Sequence, residues 1–169
     1  TNSVLLARAA RSACHGQVLV ADLQRAGRGQ RGRVWRAAAG DAILSSVSWQ
    51  FAKTAPLDGL SLAVGVVLAE ALDAWVPGAV RLKWPNDLLV VTETEAHKIG
   101  GILIETVASP DATRTAVIGF GINVRNTPPL EIAGHGDVPK PLAPICLADI
   151  SHPSPPLDAV LAGLLGALA

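Results

Sequence analysis

The stretch Ala26–Trp35, AGRGQRGRVW, sets Gly27, Gly29 and Gly32 among Arg28, Arg31 and Arg33, with Arg25 just before and Arg36 just after. Five of the fourteen basic residues fall between Arg25 and Arg36, and no acid lies between Asp22 and Asp41. Glycine costs backbone entropy and is used where φ must be positive or where a ligand approaches the main chain. Guanidinium forks interleaved with bare backbone N–H groups can wrap an anion. Trp35 closes the stretch with a flat face suited to a nucleobase, although a lone Trp is more often part of a core. A solvated basic loop would explain the arginines but not three glycines in six residues. The letters GxGxxG are also those of a dinucleotide loop, which needs a helix directly after the glycines and an acid about 20 residues on. Here Gln30 to Trp35 is no helix start, and residues 44 to 57 hold no acid.

Three further stretches carry polar groups in apolar surroundings. In RLKWPNDLLV, Arg81 to Val90, Lys83 and Trp84 flank the turn formers Pro85, Asn86 and Asp87. An ordinary hairpin turn would need neither the cation nor the aromatic. In HKIGGILIE, His97 to Glu105, Lys98 stands at the head of an apolar strand and Gly100-Gly101 would let a ligand lie against backbone. In VIGFGINV, Val117 to Val124, two glycines interrupt a buried strand and Asn123 follows.

The elements that must position these residues alternate from helical to strand periodicity. A helix is expected from about Ser3 to Ser12, capped by Thr1, with Val4, Leu5 and Ala9 on one face. Gln17 to Leu23 reads as a strand, and so does Ile43 to Phe51, where Val47, Trp49 and Phe51 alternate with Ser46, Ser48 and Gln50. A long helix is expected over Leu57 to Trp75, stopped by Pro77-Gly78. Strands follow at Val80 to Trp84, Leu88 to Val91, Lys98 to Val107 and Thr115 to Val124. Eight of the twelve prolines lie between Pro128 and Pro156, a long irregular segment, and a last helix starts at Leu157. The order predicts an α+β fold: a mixed, largely antiparallel sheet with helices packed on it, rather than βαβ units.

Composition bounds the function. The chain has 169 residues, about one domain, with 50% hydrophobic and 17% charged residues, enough for a sizeable core. Fourteen basic residues balance fourteen acidic ones, which argues against a general nucleic-acid or membrane binder. Cys14 and Cys146 have no metal-type spacing and read as reduced thiols of a cytoplasmic protein.

Taken together, the leading Thr1-Asn2, GRGQRGRVW, LKWPNDLLV, HKIGGILIE and GFGINV resemble, in order and spacing, the catalytic domain of biotin protein ligases. The resemblance runs from Thr1 to about Arg125 and implies a class II synthetase-like fold. Lipoate ligases share that fold but carry a histidine in the glycine-rich motif. The resemblance implies that biotin's carboxylate attacks the α-phosphate of Mg2+-bound ATP, giving biotinyl-5′-AMP, and that a lysine of a biotin carboxyl carrier protein then takes the biotinyl group. It places Thr1, Asn2, Gln24, Arg28, Gly29, Gln30, Lys98, Gly100 and Gly101 at biotin. Arg31, Arg33, Trp35, Asn86, Asp87 and Asn123 fall to the nucleotide, Asp87 also to the metal, and Lys98 and Arg28 to catalysis. Gln30 departs from the pattern, since most relatives have an arginine there. The resemblance further assigns residues 1–169 to one catalytic domain, its C-terminal end cut short, without the family's small C-terminal β-domain or a DNA-binding helix-turn-helix. A homodimer is left open. The rival expectation is a degenerate relative that binds biotin or its adenylate without transfer.

Overall fold

The computed structural model describes residues 1–92, 94–108, 113–128 and 142–169. Helix α1 (Asn2–Ala9) is followed by strand β1 (Val18–Ala21), the short strands β2 (Gly27–Arg28) and β3 (Val34–Trp35), and the long strand β4 (Ala42–Ala52). Helix α2 (Leu60–Leu72) leads to β5 (Val80–Lys83), β6 (Asp87–Val91), β7 (Ala96–Ala108) and β8 (Thr113–Asn123). Helices α3 (Leu147–Ile150) and α4 (Leu157–Leu168) end the chain. Six strands form one sheet in the order β1-β4-β8-β7-β6-β5, and each neighbouring pair is antiparallel. The expected α+β architecture holds, and among the described residues the parallel component is a single bridge between Lys98 and Pro144. That bridge and α3 give the expected irregular segment some regular structure; residues 129–141 of that segment lie outside the described residues.

Register assigns each face of the sheet a task. On one face Ile43, Val47, Ile102, Ile118, Phe120 and Ile122 pack against Leu68 and Leu72 of α2 and Val160 and Leu164 of α4. On the other, α1 packs Leu5 and Ala9 against Val117 and Cys14. Leu5 is fully buried, so Leu5→Ala would cost about 2–5 kcal/mol and loosen the helix that carries Asn2.

Three sequence expectations shift. The buried face of α1 is Asn2, Leu5 and Ala9, while Val4 is exposed; the spacing i, i+3, i+7 puts the polar Asn2, not Val4, in the stripe. Thr1 occupies the N-cap position, but its side chain makes no capping bond because it turns to other partners described below. Helix α2 begins three residues later than expected, because Gly59 has φ 81°, a left-handed conformation that cannot continue a helix.

The glycine-arginine stretch is a hairpin. β2 pairs with β3, Gly27 opposite Trp35 and Arg28 opposite Val34. A 3-10 turn over Gln30–Gly32 joins them, and Arg31 and Gly32 both take positive φ (58° and 74°). Gly29 N–H donates to the Arg33 carbonyl at 2.7 Å. This geometry gives the GxGxxG letters a turn rather than the strand-to-helix bend that dinucleotide binding requires.

A bulge aims Lys98. Between β6 and β7, Leu88 pairs with Gly100 and Leu89 with Lys98, leaving Ile99 extra. In a regular strand Lys98 would share a face with Gly100, whose missing Cβ faces Leu88 and Ile122 in the core. The extra residue lets Ile99 stay in the core, fully buried, and turns Lys98 to the α1 face. Bulges of this kind re-aim side chains next to functional sites.

Candidate functional site

Two groups of side chains meet on the α1 face of the sheet. The first is built around the N-terminus of α1. Thr1 Oγ1 accepts from Gln24 Nε2 at 3.1 Å and lies 2.5 Å from Ser46 Oγ. Ser46 Oγ is 2.6 Å from Asn2 Oδ1. Asn2 Nδ2 donates to the Leu103 carbonyl at 3.0 Å and to Glu105 Oε2 at 2.9 Å. Arg28 Nη2 reaches both Glu105 oxygens at 3.2 Å and Ser3 Oγ at 3.3 Å. Gly119 makes room for this network, since a Cβ there would overlap the Asn2 amide.

The second group surrounds Lys98. Its Nζ is 2.5 Å from Asp87 Oδ1 and 5.7 Å from the centroid of the Trp35 ring. The indole lies over Gly121 and beside Gly101, where a Cβ would stand 3.4 Å from Lys98 Nζ and 3.6 Å from Trp35 Cζ3. Trp35 Nε1 is buried without a hydrogen-bond partner among the described residues. A buried donor left unpaired costs about 1–3 kcal/mol, so this N–H stands ready for a ligand oxygen or a water.

Of the residues singled out from the sequence, the start of α1, the hairpin with the residues before it, β6 and β7 therefore bring Thr1, Asn2, Gln24, Arg28, Trp35, Asp87, Lys98 and Gly101 to one face. Two amides expected on the nucleotide side also hold backbone. Asn86 Nδ2 donates to the Ile102 carbonyl at 2.8 Å, and Asn123 Nδ2 donates to the carbonyls of Ile145 at 3.1 Å and Lys98 at 3.5 Å. Both therefore fasten the strand that carries Lys98. Asn2 is likewise engaged at both ends of its carboxamide by protein groups. A Cβ at Gly100 would meet Ile122 and Leu88 in the core beneath the site. Gln30, Arg31 and Arg33 sit at the hairpin tip, and none has a side-chain hydrogen bond among the described residues.

Ser46 and Glu105 escaped the sequence reading. Ser46 belongs to the polar alternation of β4, and Glu105 ends the stretch that contains Lys98. The signal was parity: Glu105 shares a face with Gly101 and Leu103.

The cysteines take no part. Cys146 Sγ donates to Asp149 Oδ2 at 3.0 Å. Burial, and then the Asp149 hydrogen bond, push its pKa up to about 11, so it is a protonated thiol and a poor nucleophile. Both cysteines are free and buried. Among the described residues no group of three His, Cys, Asp or Glu could hold a metal ion. No helix of the described residues is long and apolar enough to cross a membrane.

Comparison with known proteins places this arrangement. The sequence model described as "Biotin/lipoate A/B protein ligase family" matches residues 2–123. The chain belongs to the biotin/lipoate protein ligase family. The matched region contains every residue of both groups except Thr1. Among ligases of this family, the chain is 42% identical over 135 residues to the biotin–[acetyl-CoA-carboxylase] ligase of Mycobacterium tuberculosis, covering 76% of this chain and 47% of that protein. It is 39% identical over 110 residues to the bifunctional ligase/repressor BirA of Escherichia coli, covering 64% of this chain and 33% of that one. The chain thus spans less than half the length of these relatives. The Aquifex aeolicus biotin protein ligase, solved in complex with biotin and ATP, superposes with a TM-score of 0.66 at 28% identity, over 93% of this chain and 60% of that one. The Leishmania major enzyme, in complex with biotin, gives 0.77 at 24% identity over 99% of this chain and 68% of that one, a likeness of fold alone.

Proposed function

We propose that this chain carries the catalytic site of an ATP-dependent biotin protein ligase. Biotin's carboxylate oxygen attacks the α-phosphorus of ATP, the bond to the pyrophosphate breaks, and biotinyl-5′-AMP results. A lysine amine of a biotin carboxyl carrier protein then attacks the acyl carbon. The amide bond forms, AMP leaves with the electron pair, and the amine loses its proton. Both steps need positioning and charge stabilisation more than a covalent nucleophile.

The observation that carries this reading is Lys98. A bulge turns its ammonium out of the core, Asp87 holds it at 2.5 Å, and it stands over the gap left by Gly101. There it can stabilise charge on a carboxylate and an α-phosphate together. The Thr1, Gln24 and Arg28 group lies along the same face, at the end suited to biotin's ureido ring. Trp35 offers its face or its unpaired N–H on the nucleotide side.

Magnesium fits only as a companion of the nucleotide. It is bound by phosphates and waters with one or two carboxylates, and Asp87 supplies one, already shared with Lys98. When bound, the ion would neutralise phosphate charge.

The transfer half is tested by incubating the chain with biotin, MgATP and a biotin carboxyl carrier domain. Biotin on the carrier, read by streptavidin blotting and abolished when the carrier's acceptor lysine is replaced by arginine, is expected. Adenylate formation with no carrier labelling would remove the transfer step from the proposal.

A further inference from the structure

Ser46 is fully buried in β4, and the bonds around it fix where each proton of the Thr1 group must lie. A hydroxyl has one proton and two lone pairs; a carboxamide oxygen only accepts. Asn2 Nδ2 faces the Leu103 carbonyl and the Glu105 carboxylate. Turning the amide over would set its oxygen against two acceptors, so Asn2 Oδ1 faces Ser46. The Ser46 proton is therefore committed to Asn2 Oδ1, 2.6 Å away. The separation of 2.5 Å between Ser46 and Thr1 oxygens also requires a proton between them, and it must come from Thr1. Gln24, 3.1 Å from Thr1 Oγ1, then has to present its N–H to that oxygen. Thr1 is left with one lone pair and no proton to offer.

We infer that Ser46 is a specificity-determining positioning residue: it accepts the hydrogen bond of the Thr1 O–H and leaves the Thr1 oxygen only an acceptor towards a ligand, so that the ligand group recognised there must be an N–H donor. The inference rests on the proposed biotin site, where that donor is a ureido N–H. Nothing in Ser46 touches the ligand. It acts through Thr1, and the orientation begins at Glu105 and the Leu103 carbonyl, which fix Asn2. A buried polar site of fixed direction rejects an isostere that brings a lone pair instead of a proton, because both groups are then left unpaired.

The test uses the full chain, biotin, and the two cyclic carbamates in which oxygen replaces one or the other ureido N–H. Dissociation constants are measured by calorimetry. For the unaltered chain, the carbamate whose oxygen faces Thr1 should bind weaker than biotin by roughly 10²-fold or more. In Ser46→Ala the Thr1 O–H loses its acceptor and can turn to donate to the ligand, so the same ratio should narrow by about tenfold or more. The ratio compares two ligands on one protein sample, so any loss of folded protein cancels. Thr1→Val, with neither donor nor acceptor, should narrow it as well. An unchanged ratio in Ser46→Ala with biotin still bound overturns the role of Ser46 and leaves the biotin site standing. No biotin binding by the unaltered chain overturns both.

Discussion

The Trp35 indole lies directly on Gly121: a Cβ at that glycine would come within 2.7 Å of both Cε2 and Cζ2. This contact docks the arginine hairpin onto the sheet, because Trp35 is the last residue of β3 and Gly121 lies in the middle of the site face. Gly121→Ala should displace the indole while leaving the far face of the sheet intact. We expect biotin affinity to fall about tenfold or more, with an unchanged far-ultraviolet spectrum. Calorimetric titration checks this, and an alanine variant that binds like the native chain would show that Trp35 need not rest there.

The hairpin tip should respond to ligand. Arg31 and Gly32 hold positive φ, and the tip arginines have no side-chain hydrogen bond among the described residues, a combination of low local stability. Trypsin should therefore cut between Arg25 and Arg36 quickly in the free chain and slowly with biotin plus MgATP. Equal cleavage rates, followed by mass spectrometry, would contradict ligand-induced ordering.

Gln30 opens the turn at the hairpin tip, where the family resemblance calls for arginine. Hydrogen bonds to charged groups are worth about 1.5–3 kcal/mol, and glutamine lacks both the charge and the fork. Gln30→Arg should slow release of biotinyl-5′-AMP by roughly tenfold, the equivalent of about 1.4 kcal/mol. It should also reduce biotin labelling of bystander albumin. Adenylate dissociation measured for both variants decides; equal rates would mean that Gln30 faces away from the adenylate.

Cys146 links stability to alkaline pH. Its thiol titrates near 11 in the fold against an ordinary value of 9.0. The folded state therefore keeps a proton that the unfolded state has already lost. The contribution is full below pH 9.0 and is lost as the pH rises towards about 11. Urea unfolding of the native chain should weaken across that window more steeply than that of Cys146→Ala. Parallel profiles would show that the thiol does not couple to folding.

Much of this was legible in local pattern. The two-residue alternation around Val47 located β4, and the glycines of β7 and β8 marked where side chains press on backbone. What eluded the sequence is non-local. Lys98 could be placed on a strand, but its direction depends on an extra residue opposite Leu88 and Leu89, two strands' worth of pairing. Ser46 read as the polar half of an alternation, because its partner Asn2 is 44 residues away. Val4 looked apolar enough to be core, yet Asn2 takes the buried position since Gly119 leaves room for an amide there. Asn123 and Asn86 stood out as polar groups beside apolar strands, but the carbonyls of Lys98, Ile145 and Ile102 that their amides reach are set by the fold.

The central claim is that Lys98 stabilises charge while biotin is adenylated. Biotin-dependent exchange of labelled pyrophosphate into ATP measures that step alone, without an acceptor protein. The native chain should catalyse the exchange, and Lys98→Ala should reduce it by roughly 10²–10³-fold, the usual loss for one preorganised donor, with biotin binding much less affected. Exchange in Lys98→Ala within about threefold of the native rate would contradict the role given to Lys98. No exchange by a native chain that binds biotin would identify a binding protein rather than a ligase.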